Sequence, residues 1–420
     1  MRRLGMRTFA SLRKHRNYRL YFFGQVVSVT GTWMQHLALA WFVVDLTRSP
    51  LAVGFLAFCR FAPFTLFGLA AGVLADRFDN RRLFAATQLG SMVVSVALAA
   101  LAFSGAAELW HIYVLAALGG TAAVMDGPGR HALTSQLVAR EELPNAIALN
   151  VSVFNASRLV GPALAGILIA TVDIAWCFAV NAVSFLAVFV ALALMRREEL
   201  FPVGRAEEPP TMVRGAREAL GYAAGAPGVR AVLLLTAGLS AVGINFHVLV
   251  PLLAADEPSV GASAFGVLAS SFGAGALVGA LLSATIARAS WTMIVLSTVG
   301  FSASVVALGL DHRPALAAVF LFATGAFFTL ESSNSQSILQ LSAPDHLRGR
   351  VLSLYILSFG GLAPVGGLVA GWLAEIGGLS LAFGVAGATG LAGALLVASQ
   401  ARSRTLGRAL PRPNISSITD

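Results

Sequence analysis

What most constrains this chain is a succession of apolar runs, each about 20 residues long and separated by short polar breaks. That is the length an α-helix needs to cross the hydrocarbon of a bilayer. In order, the runs fall at 19–45, 51–75, 83–104, 110–128, 145–171, 174–195, 230–254, 262–286, 291–310, 314–337, 349–373 and 378–400. Of the 420 residues, 57% are hydrophobic and only 12% are charged, against about 25% charged in a soluble domain. A water-soluble core of this size could not hide so much apolar surface. The expected fold class is an all-α membrane protein with twelve transmembrane helices.

Charge sorts the breaks into two faces. The sequence holds 29 Lys and Arg residues, and Lys14 is the only Lys. Arg60 and Arg158 lie inside apolar runs, and Arg48 and Arg313 border one face. The remaining 25 border the other. Asp45, Glu108, Asp173, Asp256, Asp311 and Glu375 lie on the face that is poor in Arg. The positive-inside rule then puts both termini in the cytoplasm. The net charge of +9 is thus distributed as a membrane protein distributes it, and no nucleic-acid partner is expected. The Arg-over-Lys, Ala-rich usage suggests a GC-rich bacterial genome, hence a bacterial cytoplasmic membrane. The basic stretch ahead of the first run mimics a signal peptide, but that run is too long, so an uncleaved first helix is expected.

The longest polar stretch, 196–229, divides the runs six and six. Expected boundaries are a basic N-terminus at 1–18, helical bundles at 19–195 and 230–400, and a polar tail at 401–420. Residues 212–224 have the pattern of a short amphipathic surface helix. A weak internal repeat supports duplicated halves: Gln136 to Leu143 before the fifth run resembles Gln340 to Leu347 before the eleventh. Cys59 and Cys177 sit inside apolar runs as small hydrophobes, with no disulfide or metal site expected.

After the second run the chain reads Gly72-Val73-Leu74-Ala75-Asp76-Arg77-Phe78-Asp79-Asn80-Arg81-Arg82. This resembles the signature of the major facilitator superfamily, with Asp79 in place of a second Gly and Asn80 in place of a basic residue. Arg158 to Gly166 in the fifth run, containing Gly161, Pro162 and Gly166, is similar to the Gly-Pro motif of the superfamily's exporters. Asn17 to Phe22 and Pro344 to Val351 resemble one branch, the third drug:proton antiporter family, which includes enterobactin and macrolide exporters. The resemblance implies two pseudo-symmetric six-helix bundles, alternating access, a monomer and export driven by the proton gradient without a cofactor. It also implies an inner gate at Gly72, Asp76, Arg77, Arg81 and Arg82, with Asp76 set against a helix N-terminus.

Glycines four apart let membrane helices approach closely. Gly68 with Gly72, Gly275 with Gly279, and Gly367 with Gly371 have that spacing. By resemblance these would lie where the second helix meets the eleventh and the fifth meets the eighth. Gln25, Ser28, Thr32 and Gln35 share one helical face, as do Thr236, Ser240 and His247. A polar stripe is costly against lipid, so each is expected to line a wet cavity or to bond a neighbouring helix. A charge at mid-membrane costs about 2.5–3.5 kcal/mol on insertion scales, so Arg60 and Arg158 require partners or water. Asp126 and Glu331 lie at matching depth in the two halves and are the proton-coupling candidates. Asp126 has a second reading, as a pair with Arg130 four residues on. The partners expected are a small-molecule solute, protons and the bilayer. A uniporter, an importer or a lipid flippase would fit the same pattern, whereas an enzyme would need a nucleophile, metal or nucleotide motif, and none is found.

Overall fold

The computed structural model describes residues 9–202, 212–256, 261–286, 289–344 and 347–402. The side chains of 69–70, 72–77, 212–216, 261–263 and 401–402 lie outside that description. The described residues are helical, and local chemistry sets the ends of the helices. Ser49 caps one start by accepting from Ala52 N at 3.3 Å, with Pro50 at the first helical position. Asp79, Asp173 and Ser290 cap three more starts, accepting from Arg82 N, Ala175 N and Met293 N. Gly105, at φ +66°, ends a helix in the left-handed conformation that glycine adopts without strain.

The crossing helices are α1 Arg16–Thr47, α2 Pro50–Arg77, α3 Asn80–Ser104, α4 Leu109–Leu137, α5 Leu143–Thr171 and α6 Ile174–Leu194. A surface helix Met212–Gly225 follows, then α7 Pro227–Asp256, α8 Gly261–Ile286, α9 Trp291–Leu310 and α10 Pro314–Ser342. The chain ends in α11 Arg348–Gly360 and α12 Ala363–Arg402. Eleven stretches are long and apolar enough to cross a membrane, and the last of them, Arg348–Gln400, turns at Gly378 with φ +71°. Before that turn α12 packs on α2 through Gly367 and Gly371; after it, Phe383, Gly387 and Gly390 run antiparallel along α9. Exposed leucines such as Leu66, Leu281 and Leu395 give the helices apolar outer faces suited to lipid.

Two expected helices are broken. The expected run 230–254 is interrupted by a wide turn, Leu239–Gly243, and a non-helical step before Phe246. The run 349–373 is interrupted at Gly361 and Leu362. The two breaks meet: Ser240 Oγ donates to the carbonyl of Phe359, and Gly366 lies so close to Asn245 that a Cβ there would stand 2.8 Å from its Oδ1. Loosened backbone at membrane depth is tolerated where protein or a wet site covers it.

α1 packs on α5 and α6, α2 on α4, and α3 on α4 and α6, while in the second half α8 and α9 pack on α10 and α12 packs on α9 and α7. The surface helix docks on the second half, with Ala219 and Ala223 buried, Tyr222 OH donating to Ser342 O at 2.7 Å, and Glu218 paired with Arg350.

On the basic face the chain start is clamped. Ser11 N donates to Asn145 Oδ1 at 3.1 Å, Asn17 exchanges hydrogen bonds with the backbone of Arg196, and Glu142 pairs with Lys14. Lys14 holds the Glu142 carboxyl below the usual carboxylate range. A depressed carboxyl stabilises the folded form above its unfolded pKa and stops doing so as pH falls through its folded value, so the clamp persists at neutral pH. Glu142→Gln is expected to speed tryptic cleavage at Lys14 and Arg16 at pH 7, and acidification through the carboxylate range should loosen the wild-type segment in the same way. Equal cleavage rates in the variant and the wild type would refute the clamp.

Candidate functional site

The two halves meet along glycine seams near the acidic face. A Cβ added at Gly54 of α2 would lie 2.6 Å from the carbonyl oxygen of Gly367, and one at Gly371 would lie 2.7 Å from that of Pro50. One at Gly266 of α8 would lie 2.8 Å from Cα of Gly166 in α5, and one at Gly273 would lie 2.9 Å from the carbonyl of Arg158. Only glycine allows backbones this close. Trp41 stacks on Phe265 with centroids 5.4 Å apart. Glu375, at the acidic-face end, accepts from Ser49 Oγ and Leu51 N at 3.1 Å each, placing a carboxylate from the second half on the N-terminus of α2. Toward the basic face, Ile147 and Val151 of α5 and Ile356 and Leu357 of α11 are exposed.

The seams correct part of the sequence reading. Gly367 and Gly371 face α2, but their partner is Gly54; Gly68 has no neighbour closer than the Phe64 ring, with 3.9 Å to its Cβ position. Gly275 and Gly279 abut Phe322 and Ala326 of α10 in their own half, and Gly266 and Gly273 make the approach to α5. Gly161 fits against Trp33 and Met34 of α1, leaving the carbonyl of Pro162 and the backbone of Gly166 to receive Gly266.

Just below this seal lies a group of cationic and protonatable side chains. His36, Arg60, Arg158 and His247 each sit a third to halfway along their helices from the acidic-face ends. Arg60 Nη2 lies 2.6 Å from His36 Nδ1, and its guanidinium lies 5.0 Å from the Phe61 ring centroid. Arg158 lies over Phe272 at 4.6 Å and over Trp33 at 5.6 Å. His247 packs edge-on against Phe61 at 4.9 Å, and its buried Nε2 has no hydrogen-bond partner. His36 and His247 lie within electrostatic reach of Arg60, and His247 within reach of Arg158. No carboxylate pairs with either arginine among the described residues. His36 was legible as an extension of the stripe, four residues past Thr32, but Trp33 and Phe272 carried no such signal.

The two membrane carboxylates differ. Asp126 is buried and accepts from Thr87 Oγ1 at 3.0 Å, Gln88 Nε2 at 2.8 Å, and Arg130 Nε and Nη2 at 2.9 and 2.6 Å. This is the Arg130 pairing, with two further donors from α3. Glu331 is 3% exposed, accepts from Ser335 Oγ at 2.6 Å, and makes no ion pair among the described residues. Tyr355 and Ser332 lie beside it, their hydroxyl oxygens 3.1 Å apart.

The polar stripes bond partly to neighbouring helices and partly to their own backbone. Gln35 accepts from Asn181 Nδ2 at 2.8 Å, and Ser28 Oγ donates to Gln88 Oε1 at 3.4 Å. Thr32 bonds Ser28 O, Thr236 bonds Val232 O, and Ser240 reaches Phe359 as described. Gln25 is buried with neither side-chain polar atom partnered.

Within the basic-face motif, the side chains of Gly72, Asp76 and Arg77 lie outside the described residues. Arg81 donates to the carbonyl of Leu192 at the end of α6, so it caps a helix rather than pairing with an acid. Arg81 and Arg82 line a cleft of about 520 Å³ with Asp79, Gln136, Arg197 and Phe201. Cys59 and Cys177 are free thiols.

Comparison with known proteins completes the description. A family model described as transmembrane secretion effector matches residues 6–408. The chain is 23% identical over 372 residues to the staphyloferrin A transporter of Staphylococcus aureus, covering 88% of this chain and 92% of that protein. It is 26% identical over 348 residues to the enterobactin exporter of Shigella boydii, covering 82% of each. It is 23% identical over 275 residues to the macrolide efflux protein A of Streptococcus pyogenes, covering 64% of this chain and 68% of that protein. In fold it is similar to a POT family transporter (TM-score 0.74, 12% identity, 92% of this chain and 96% of that one). It is also similar to a bacterial homologue of the iron transporter ferroportin in an inward-facing state (TM-score 0.69, 16% identity, 92% and 99%).

Overpacking a tight contact costs about 1–3 kcal/mol. Gly54→Val is therefore expected to shift the protein away from the acidic-face seal by about 5- to 150-fold in population. The measure is thiol labelling of Ser49→Cys in a Cys59→Ser, Cys177→Ser background, whose rate should rise in the Gly54→Val protein. An unchanged rate would mean that the seam does not hold the acidic face shut.

Proposed function

The chain belongs to the transmembrane secretion effector family of the major facilitator superfamily, and from that premise we propose that it is a proton-coupled exporter of small amphipathic compounds, of drug or siderophore type. The observation that carries this reading is the pairing of a one-sided seal with a lone buried carboxylate. The halves close tightly at the acidic face, through Gly54 with Gly367 and Gly371 and through Gly166 with Gly266. An alternating-access carrier must visit such a state and its mirror. With the basic face cytoplasmic, this is the inward-open state of a twelve-helix carrier in a bacterial cytoplasmic membrane, its bundles at 19–195 and 230–400.

Glu331 is the proton carrier in this reading. It is buried, accepts from Ser335 Oγ, and pairs with no cation among the described residues. A carboxyl so placed takes a proton when desolvated and releases it when the site opens to water. Asp126 is tied to Arg130 and serves as a structural charge. The transfer of one charge across 100 mV is worth about 2.3 kcal/mol, which supports roughly a 40-fold solute gradient per proton. Export as the direction follows the relatives, whose names record enterobactin export and macrolide efflux. The basic-face motif, with Asp76, Arg77, Arg81 and Arg82, acts as the inner gate, and the protein works as a monomer.

The test uses inverted vesicles loaded with a pH-sensitive dye, energised and offered candidate solutes. A solute that triggers proton efflux in the wild type should trigger none in Glu331→Gln, while solute exchange between pools persists. Solute movement that ignores the pH gradient in both proteins would replace antiport with uniport. Accumulation in the opposite direction would make the chain an importer.

A further inference from the structure

We propose that the mid-depth cluster of Arg60, Arg158, His36 and His247 is the solute site, and that it selects organic anions with a flat apolar body. The inference rests on the transporter reading above and names the chemical class of its solute. Three observations carry it. The first is uncompensated charge. Arg60 has a histidine and a ring as neighbours, and Arg158 has two rings, with no carboxylate on either. Ring faces soften the desolvation of a guanidinium but leave its charge in place. Trp33 links the two: Arg158 lies 5.6 Å from its ring, and His36, which touches Arg60, lies 5.9 Å from it, so one bound anion there would meet both charges.

The second observation is placement. Arg60 and His36 come from α2 and α1, Arg158 from α5, and His247 and Phe272 from α7 and α8. The group therefore lies where the two halves meet, level with the Gly273–Arg158 contact, and α7 is broken close by, between Gly243 and Phe246. Discontinuous helices at the meeting of two halves are where carriers of this architecture bind solutes. The third is unused bonding capacity. The buried Nε2 of His247 and both side-chain polar atoms of Asn245, in the break of α7, have no partner. Buried polar atoms without partners are uncommon and call for a ligand or ordered water.

The surrounding surface is aromatic: Trp33, Phe61 and Phe272 contact the cationic side chains, and Phe246 packs on Phe272 with centroids 4.7 Å apart. Carboxylate or phenolate oxygens would meet the guanidinium groups, and a planar body would lie against the rings. A lipophilic cation would have to enter beside two arginines with no acid to receive it.

The experiment titrates the purified full-length protein in detergent with 2,3-dihydroxybenzoate, with citrate, and with the lipophilic cation tetraphenylphosphonium, reading heat of binding and thermal shift. 2,3-dihydroxybenzoate should bind and raise the unfolding temperature, citrate, which lacks a planar apolar body, should bind more weakly, and the cation should do neither. Arg158→Gln and Arg60→Gln should each weaken anion binding by about 30-fold or more, the loss expected when one member of a buried charge contact is removed. Arg158→Lys should retain part of the affinity. Tetraphenylphosphonium binding in preference to both anions would overturn the proposal, as would wild-type anion affinity in both Gln variants. If those variants do not fold, the wild-type preference between anion and cation decides alone. Arginine-dependent anion binding without any movement of the anion in energised vesicles would keep the site and sink the export reading. Energised export of the cation, unaffected by Arg60→Lys and Arg158→Lys, would do the reverse.

Discussion

Lipid offers a peptide group no hydrogen-bond partner, and every other feature of this protein is arranged within that constraint. Crossing segments must satisfy their backbone internally, so they are helical and their caps stand where the apolar runs end. The same constraint explains why the breaks in α7 and between α11 and α12 lie together. Each exposes backbone groups that need a partner, and Ser240, reaching the carbonyl of Phe359, supplies one across the gap.

Where the hydrophobic effect cannot join helices, close packing must. The halves meet through glycines whose missing side chains bring carbonyl oxygens and Cα atoms into contact: Gly54 with Gly367 and Gly371, and Gly166 with Gly266. Such a seam is stiff along its length yet holds few strong bonds, which suits a surface that must part and reform. Glu375 adds a polar latch at one end, using the N-terminus of α2 as its receptor. The carboxylate that the sequence places on a helix N-terminus at the opposite face, Asp76, lies outside the described side chains.

Charge inside the membrane is distributed by consequence. Asp126 with Arg130 is a neutralised pair with further donors, a fixed part of the first half. Among the described residues Glu331 pairs with no cation, and Arg60 and Arg158 pair with no acid. Keeping them unpaired costs stability, and a protein that binds charged or protonatable cargo has use for groups in that condition.

The sequence by itself determined the crossing segments, the two faces, the superfamily and the identity of the ionisable residues within the membrane. All of these are local or cumulative properties: run length, charge at run ends, and a motif in one loop. It also carried both readings of Asp126, since Arg130 lies four residues away on the same helix. Only the tertiary structure decided which polar groups are spent on neighbours and which are left over. Gln35 and Ser28, whose stripe fits either a cavity or a neighbouring helix, bond Asn181 and Gln88. His36, Trp33 and Phe272 became site residues only when α1, α2, α5 and α8 converged on two arginines. A helix forms from its own backbone, so its sequence reveals it; a partner across a helix interface lies on another helix, tens of residues away or more, and no period or motif records it.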